Sequence, residues 1–260
     1  MPLKGSEILL YEKREQIVYI TLNRPERMNA MSPESGERLC EAWSQFDNDD
    51  DARVAIITGA GDRAFCAGMD MKEFSERFRD ESRQRSWRPG LDRINSFKPT
   101  IAAINGFAIG GGFAQAQNCD IRIAAEHAEF AVAEVKWGRG DAWTIPLLWM
   151  IPFGIALELL MTGERISAQR AYEIGFVNKV VKKEDLMAEA TRMAKVIRDN
   201  APLSVKAVKE TFYKARDMGL GCTEGLQMAI ELWEKVYQSE DAQEGPIAFA
   251  EKRKPVWKGR

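Results

Sequence analysis

Hydrophobic and polar residues near the start of the chain follow the pattern of two short strands. Residues 8–11 and 17–22 are rich in Ile, Leu, Val and Tyr, and the charged residues between them are typical of a turn. The pattern predicts a hairpin. Asn23-Arg24-Pro25 ends the second strand, and Ser32-Pro33-Glu34 has the capping residue and first-turn proline that open a helix.

A unit of strand, glycine turn and helix then appears twice. Residues 54–58 form an apolar run that Gly59 stops, and a charged helical stretch follows over 71–79. The second apolar run covers 100–105, with a glycine-rich turn over 106–112 and a short helix over 113–118; a further strand is predicted over 121–124. Repeated units of this kind predict an α/β fold in which helices cover sheets.

The pattern changes near Ala201, after which it predicts only helices. One of them carries Leu226, Ile230, Trp233 and Tyr237 on one side, an apolar stripe that needs a partner surface. That surface is either the core of the same chain or a neighbouring subunit. We therefore expect two regions, a core over residues 1–200 and a helical region over residues 201–260.

Composition narrows the classes of function. The net charge of -2, from 37 basic and 39 acidic residues, provides no overall field for nucleic acid or an anionic membrane. The start of the chain has no apolar signal-like run, and the long uncharged stretch over 99–119 contains amides and glycines that suit a membrane helix badly. These features predict a cytoplasmic protein that binds neither nucleic acid nor membrane.

Histidine and cysteine chemistry is sparse. The single histidine, His127, lies in a polar stretch typical of a surface turn, and the four cysteines never form a C-x-x-C pair. The pattern predicts no disulfide framework, no metal site and a reducing compartment. Mechanisms based on Ser-His or Cys-His pairs are hard to build from such residues.

The two glycine turns are the candidate chemistry. A strand that ends in glycines and feeds a helix leaves backbone N–H groups available to an anion or a developing oxyanion. The run from Gly106 to Gly112 is neither G-x-G-x-x-G nor a lysine-bearing P-loop, which disfavours those kinds of nucleotide binding. The alternative is that the glycines only permit tight helix packing. Two N–H groups from separate turns, however, can converge on one oxygen, as enolate chemistry needs.

Several segments resemble the crotonase superfamily, also called the enoyl-CoA hydratase/isomerase family, and the likeness extends over nearly the whole chain. LNRPERMNAM at 22–31 is similar to the family's N-terminal segment. AFCAGMDMKE at 64–73 is similar to its first oxyanion loop, and KPTIAAING at 98–106 with the triple glycine at 110–112 is similar to the second. MTGERISA at 161–168 also matches, and the ending at 239–260 resembles that of carnitinyl-CoA dehydratases.

The resemblance implies a fold and a ligand. The implied fold is a crotonase-type spiral of β-β-α units with a C-terminal helical trimerisation region, and the implied assembly is a homotrimer or a hexamer made of two trimers. The ligand is an acyl-CoA, with CoA as part of the substrate and no separate cofactor. The resemblance assigns the oxyanion hole to the N–H groups of Met69 and Gly111, and it assigns substrate and CoA contacts to Arg27, Ala67, Asp70, Gly110, Phe249 and Lys252.

The carboxylates decide the expected reaction. Hydratases of the family resemble one another in carrying two glutamates, and the position of the first one reads Ala114 here. The second corresponds to Glu134, for which the resemblance implies proton transfer. Asp141 supplies a second acid in one interpretation and is an ordinary surface charge in the other, and the same two interpretations apply to Arg139 as a partner of a polar acyl group.

Family members with a single glutamate include double-bond isomerases and hydroxycinnamoyl-CoA hydratase-lyases. The segments around Gly68, Gly112 and Glu134, including Trp137, are similar to the hydratase-lyases. Those enzymes also use a tyrosine, and the corresponding position here is Gly225 or Gln227. Trp137 and Trp143 are predicted to shape an acyl pocket, with ordinary core packing as the alternative.

The leading hypothesis is an enzyme that hydrates, dehydrates or isomerises an enoyl-CoA. A hydratase-lyase or another crotonase reaction is the alternative among enzymes. The alternative from another class is an inactive CoA-binding scaffold that has lost the first glutamate, because a fold does not guarantee an activity.

Overall fold

The computed structural model describes residues 8–73, 96–138, 142–219 and 222–260. The ten strands found there are β1 Leu9–Arg14, β2 Ile17–Leu22, β3 Val54–Gly59, β4 Ala64–Cys66, β5 Thr100–Ile104, β6 Phe107–Ile109, β7 Ile121–Ala125, β8 Glu129–Ala131, β9 Ile166–Ser167 and β10 Lys179–Val181. The helices of these ranges, numbered in chain order, are α1 Pro33–Asn48, α2 Gly111–Asn118, α3 Phe153–Thr162, α4 Ala168–Glu173, α5 Leu186–Arg198, α6 Pro202–Asp217, α7 Cys222–Tyr237 and α8 Glu240–Ala250.

The larger sheet has six strands in the order β1-β2-β3-β5-β7-β10. Only the β1-β2 hairpin is antiparallel, and the other neighbours run parallel. β5 is buried at all five positions, as expected for a parallel strand covered on both faces. One face packs against Leu186, Ala190 and Ala194 of α5, and the other belongs to the main core. The predicted α/β fold with helices over sheets is confirmed.

The smaller sheet has four short strands in the order β4-β6-β8-β9. Its strand β6 lies inside the segment 106–112, so the prediction of one continuous turn there was wrong. In β6, Phe107 and Ala108 pair with β4, and Ala108 and Ile109 pair with β8. The strand divides the segment into a bend at Gly106 and a second bend at Gly110, where φ is +53°. This second bend leads directly into α2.

The structure describes the predicted helices and the predicted second acid to different extents. The helix over 33–48 begins as the sequence indicates, because Ser32 Oγ accepts a hydrogen bond from the Ser35 N–H at 3.1 Å. The helix predicted over 71–79 is described only over 71–73. The position of Asp141, together with that of Arg139, lies outside the described residues.

The C-terminal helices are joined to the core through Asp120. Lys209 of α6 donates to the Asp120 carboxylate at 2.8 Å, and the Tyr213 hydroxyl donates to its other oxygen at 2.9 Å. Further along, the apolar stripe of α7 remains largely exposed in the single chain, with Leu226 at 62% and Tyr237 at 74%. These two residues therefore do not pack into the chain's own core, one of the two alternatives that the sequence left open.

Candidate active site

Two glycine bends bring the end of β4 against the start of α2. At Gly112, a Cβ atom would stand 2.0 Å from the backbone oxygen of Cys66, a distance that no side chain can occupy. At Gly68, where φ is +93°, a Cβ atom would stand 3.6 Å from the backbone nitrogen of Gly111. Only glycine permits this approach of two backbones and this conformation. The loop that bears Met69 and the start of α2 are therefore direct neighbours.

Hydrogen bonds fix the backbone on both sides of the two candidate amides. Met31 N–H donates to the Gly68 carbonyl at 2.7 Å, and Asp70 N–H donates to the Met31 carbonyl at 2.9 Å. The Gly110 N–H likewise donates to Ala131 at 2.8 Å. Apart from hydrogen bonds inside helices and strands, no backbone carbonyl of the described ranges accepts from the N–H of Met69 or Gly111. The two N–H groups remain available to a ligand, as the first amides of a helix ordinarily are.

The Glu134 carboxylate lies beside the second bend. A Cβ atom on Gly110 would stand 2.8 Å from its Oε1 and 3.4 Å from its Cδ. Glu134 begins the 3-10 helix Glu134–Trp137, which follows β8, and its Oε2 is shielded from solvent. A carboxylate beside Gly110, the residue that precedes Gly111, could move a proton next to a carbonyl bound by the Gly111 amide.

The helix after the triple glycine provides no second carboxylate. Ala114 is fully buried, and Phe113 beside it stacks on Phe176 with ring centroids 4.5 Å apart. The Phe113 ring is thus part of the core, and Ala114 has no group that can transfer a proton. Among the described residues, Glu134 is the acidic side chain that the glycine contacts place at the bend.

Comparison with known proteins shows the family of the chain. The model of the enoyl-CoA hydratase/isomerase family matches residues 12–260. The chain belongs to this family. It is 40% identical to an (E)-benzylidenesuccinyl-CoA hydratase of Thauera aromatica over 95% of the chain and 98% of that protein. It is 39% identical to a carnitinyl-CoA dehydratase of Salmonella typhi, over 98% of the chain and all of the relative.

Solved structures of the family have the same fold. An enoyl-CoA hydratase from Mycobacterium tuberculosis superposes with a TM-score of 0.90 at 36% identity, covering 98% of the chain and all of that structure. An enoyl-CoA hydratase from Bacillus anthracis gives a TM-score of 0.89, also at 36% identity, covering 97% of the chain and all of that structure. The predicted crotonase-type fold is therefore confirmed for this enoyl-CoA hydratase/isomerase family member.

Two residues that the sequence did not single out hold the first loop of this family member in place. Arg24 donates to the Ala30 carbonyl at 2.9 Å and forms ion pairs with Asp70 at 3.2 Å and with Glu73 at 2.6 Å. Asn29 donates to the Ala60 and Ala64 carbonyls at 2.9 and 2.7 Å. The sequence signal for this role was the position of both residues in the segment that ends a strand. Polar side chains that are buried there must form hydrogen bonds with backbone groups.

Asp70 has a local role in the same loop. Besides the ion pair, its Oδ1 accepts from the backbone N–H groups of Lys72 and Glu73 at 3.3 and 3.4 Å. Asp70 is 6% exposed, and its carboxylate already has these hydrogen-bond and ion-pair partners. The structure thus gives Asp70 a part in shaping the loop after Met69, and its predicted contact with CoA stays a prediction.

The two tryptophans near Glu134 differ in their surroundings. Trp137 ends the 3-10 helix and is 71% exposed, whereas Trp143 is half-buried and packs against the main core. The Trp143 ring lies 6.3 Å from that of Phe113. Core packing is thus part of the role of Trp143, and the acyl-pocket role of both residues stays a prediction.

The remaining predicted CoA contacts differ in their exposure. Arg27 is exposed at the end of a short 3-10 helix, and Ala67 is half-buried in the first oxyanion loop. Phe249, near the end of α8, is 87% exposed, and Lys252 follows with φ at +55°. In the described part of the chain, no recorded hydrogen bond or ion pair joins these two C-terminal residues to the oxyanion loops, so their contact with CoA stays a prediction.

Among the described residues, Cys66, Cys119 and the acidic groups suggest neither a reactive thiolate nor a metal site. Burial raises the pKa of the Cys66 thiol to about 12 and that of the Cys119 thiol to about 12, which removes the reactive thiolate at neutral pH. Among the residues described, no group of three or more histidine, cysteine or acidic side chains is arranged to hold a metal ion. No helix of those residues is both long enough and apolar enough to span a membrane.

Proposed function

We propose that this chain catalyses the reversible hydration of a 2-enoyl-CoA thioester with Glu134 as its single proton-transferring carboxylate. The observation that carries the proposal is the position of the Glu134 Oε1, 2.8 Å from where a Cβ atom of Gly110 would stand. The carboxylate and the Gly111 amide therefore share one bend of the chain. The names of the hydratase and dehydratase relatives support the same reaction class.

The amides of Met69 and Gly111 bind the thioester oxygen in this mechanism. As the oxygen of a water molecule bonds to C3, the C2=C3 electron pair moves toward the thioester and leaves an enolate, whose charge the two N–H groups stabilise. One preorganised donor of this kind contributes on the order of 10²–10³ in rate. The positive φ values of Gly68 and Gly110, each next to a proposed donor, support such preorganisation.

Glu134 carries the proton through both halves of the reaction. Its carboxylate removes a proton from the attacking water, and the resulting acid then delivers a proton to C2 of the enolate. The carboxylate returns to its starting form, and the sum is the addition of one water. The same group can move a proton between C2 and C4, so double-bond isomerisation is the alternative that the alanine at position 114 favours.

The assay of three substrate classes tests this proposal. A 2-enoyl-CoA, a 3-enoyl-CoA and a hydroxycinnamoyl-CoA are each followed by ultraviolet absorbance of the conjugated thioester. We expect turnover of the 2-enoyl ester. Turnover of only the 3-enoyl ester would identify an isomerase, and release of an aldehyde would identify a hydratase-lyase. No turnover of any ester would overturn the proposal in favour of a CoA-binding scaffold.

The proposed enzyme acts on CoA as part of its substrate and needs no further cofactor. Arg27, Ala67 and Asp70 are the proposed CoA contacts on one side, with Phe249 and Lys252 on the other. A homotrimer or hexamer in the cytoplasm is the proposed form, and the exposed stripe of α7 supports a subunit contact. Light scattering coupled to size exclusion measures that assembly, and a monomer would contradict it.

A further inference from the structure

Gln117 of α2 is a buried polar side chain that the reaction scheme does not use. The residue is 1% exposed, and its Nε2 donates to the Trp143 backbone oxygen at 2.6 Å. Since a carbonyl oxygen can only accept, this contact fixes the orientation of the amide and turns Oε1 away from Trp143. The Oε1 atom is itself shielded from solvent, and within the described ranges it has no hydrogen-bond partner.

An acceptor in this condition points to a ligand. Buried side-chain oxygens in native proteins almost always receive a hydrogen bond, because leaving one unsatisfied opposes folding. On the same helix, Ala114 and Ala116 are fully buried, as is the polar Gln115. The Oε1 of Gln117 is thus a buried acceptor without a partner, and pockets use isolated polar groups of this kind to fix the orientation of small molecules.

The helix relates this acceptor to the oxyanion hole. Gln117 and Ala114 are three residues apart and so share a face of α2. Six residues separate Gln117 from Gly111, which corresponds to ~9 Å along the helix axis. Side chains of a helix lean toward its N-terminus, which for α2 is the end that begins at Gly111. A thioester held at Gly111 would need several carbons beyond its carbonyl to reach the amide.

We propose that Gln117 is a specificity-determining residue whose Oε1 accepts a hydrogen bond from a donor on the distal part of the acyl group. The substrate class is then an acyl-CoA whose chain carries a hydroxyl or an N–H several carbons from the thioester. This inference rests on the proposed function, because it places the acyl group along α2. A site built around a hydrogen bond discriminates against the analogue that lacks it.

Calorimetric titration with saturated esters tests the proposal without catalysis. Butyryl-, valeryl- and hexanoyl-CoA are each compared with the analogue bearing a terminal hydroxyl. For at least one chain length, we expect the hydroxylated ester to bind about 10- to 100-fold more tightly than its parent, since it satisfies a buried acceptor. In Gln117→Leu the preference is expected to disappear, because a leucine accepts no hydrogen bond.

Two further variants keep the result interpretable. Gln115→Leu removes another buried glutamine of α2 and is expected to retain the preference, which separates a local effect from a general loss of packing. Gln117→Met, with an unbranched side chain of similar length, replaces the leucine variant if the latter does not fold. Equal binding of every pair to the unsubstituted enzyme, or a preference that survives in both Gln117 variants, would overturn the proposal.

The two proposals fail in different ways. If the 2-enoyl esters are hydrated and no hydroxylated ester is preferred, only the role of Gln117 is wrong. If Gln117 sets a preference in binding and no ester is turned over, the reaction is wrong and the specificity stands. If no acyl-CoA binds at all, both are wrong.

Discussion

The two ends of the candidate site use different groups, backbone atoms at one end and side-chain atoms at the other. At the proposed carbonyl end, the groups are the backbone amides of Met69 and Gly111, and Gly68 and Gly112 let two backbone segments meet at distances that exclude a side chain. At the proposed acyl end, the groups are side chains, chiefly Gln117, whose Nε2 donates to the Trp143 backbone oxygen. In the two proposals above, the backbone end binds any thioester and the side-chain end selects among them. Substitutions should therefore act on rate at the first end and on substrate choice at the second.

The largest expected effect follows from removing the proton carrier. Glu134→Gln keeps the size of the side chain and its place beside Gly110, but the amide cannot take a proton from water. We expect turnover of a 2-enoyl-CoA to fall about 10²–10⁴-fold, the usual contribution of a general acid or base. Binding of the saturated ester, measured by calorimetry, is expected to remain. Full activity in this variant would remove Glu134 from the mechanism.

The next effect tests the backbone end directly. Gly112→Ala places a methyl group against the Cys66 carbonyl, so the start of α2 must shift and move the Gly111 N–H away from the substrate oxygen. We expect turnover to fall by about 10²–10³, comparable to the loss of one oxyanion donor. Circular dichroism and thermal unfolding identify the part of this loss that is due to misfolding.

Gly154 is the matched control for that substitution. It lies in α3, where an added Cβ meets nothing within 4 Å. Gly154→Ala is expected to leave turnover unchanged and to stabilise the fold by up to about 1 kcal/mol, since alanine loses less backbone entropy in a helix. A decrease in turnover of similar size in both variants would show that the bend at Gly112 has no special role.

A smaller effect on rate and a larger one on stability are expected at Arg24. Its guanidinium is 12% exposed and bridges Asp70 and Glu73, so Arg24→Leu leaves the nearly buried Asp70 carboxylate without its cation. We expect a loss of ~3 kcal/mol in the free energy of unfolding, measured with urea. Arg38→Leu is the control, because the exposed pair with Glu41 contributes about 1 kcal/mol or less. Equal losses in the two variants would contradict this role of Arg24.

The smallest effect concerns the cysteines. Burial holds the pKa of Cys66 and of Cys119 at about 12, so neither forms thiolate at neutral pH. Treatment of the native enzyme with iodoacetamide is expected to modify the exposed Cys40. It is expected to leave Cys66 and Cys119 unmodified and the structure around them unchanged. Peptide mapping by mass spectrometry reads the outcome, and rapid modification of Cys66 would show that the end of β4 opens.

The sequence predicted the carbonyl end better than the acyl end for a physical reason. The glycine-rich turn over 106–112 is a local signal, and the family resemblance pointed to the loop around Gly68, which the structure places next to Gly111. The strand β6 was missed because three residues between glycines give too short a period to recognise. Gln117 could not be recognised either, since its significance depends on a contact with Trp143, 26 positions away. Arg24 was overlooked because its partners likewise lie far along the chain.

Hydrogen exchange at C2 of a saturated acyl-CoA tests the central claim most directly. In deuterated water, an enzyme that stabilises the enolate through Met69 and Gly111 and moves the proton with Glu134 exchanges that hydrogen without any hydration, and proton NMR follows the loss of signal. We expect exchange with the unsubstituted enzyme, and almost none with Glu134→Gln or Gly112→Ala. An ester that binds but never exchanges, or exchanges equally in all three proteins, would contradict the account.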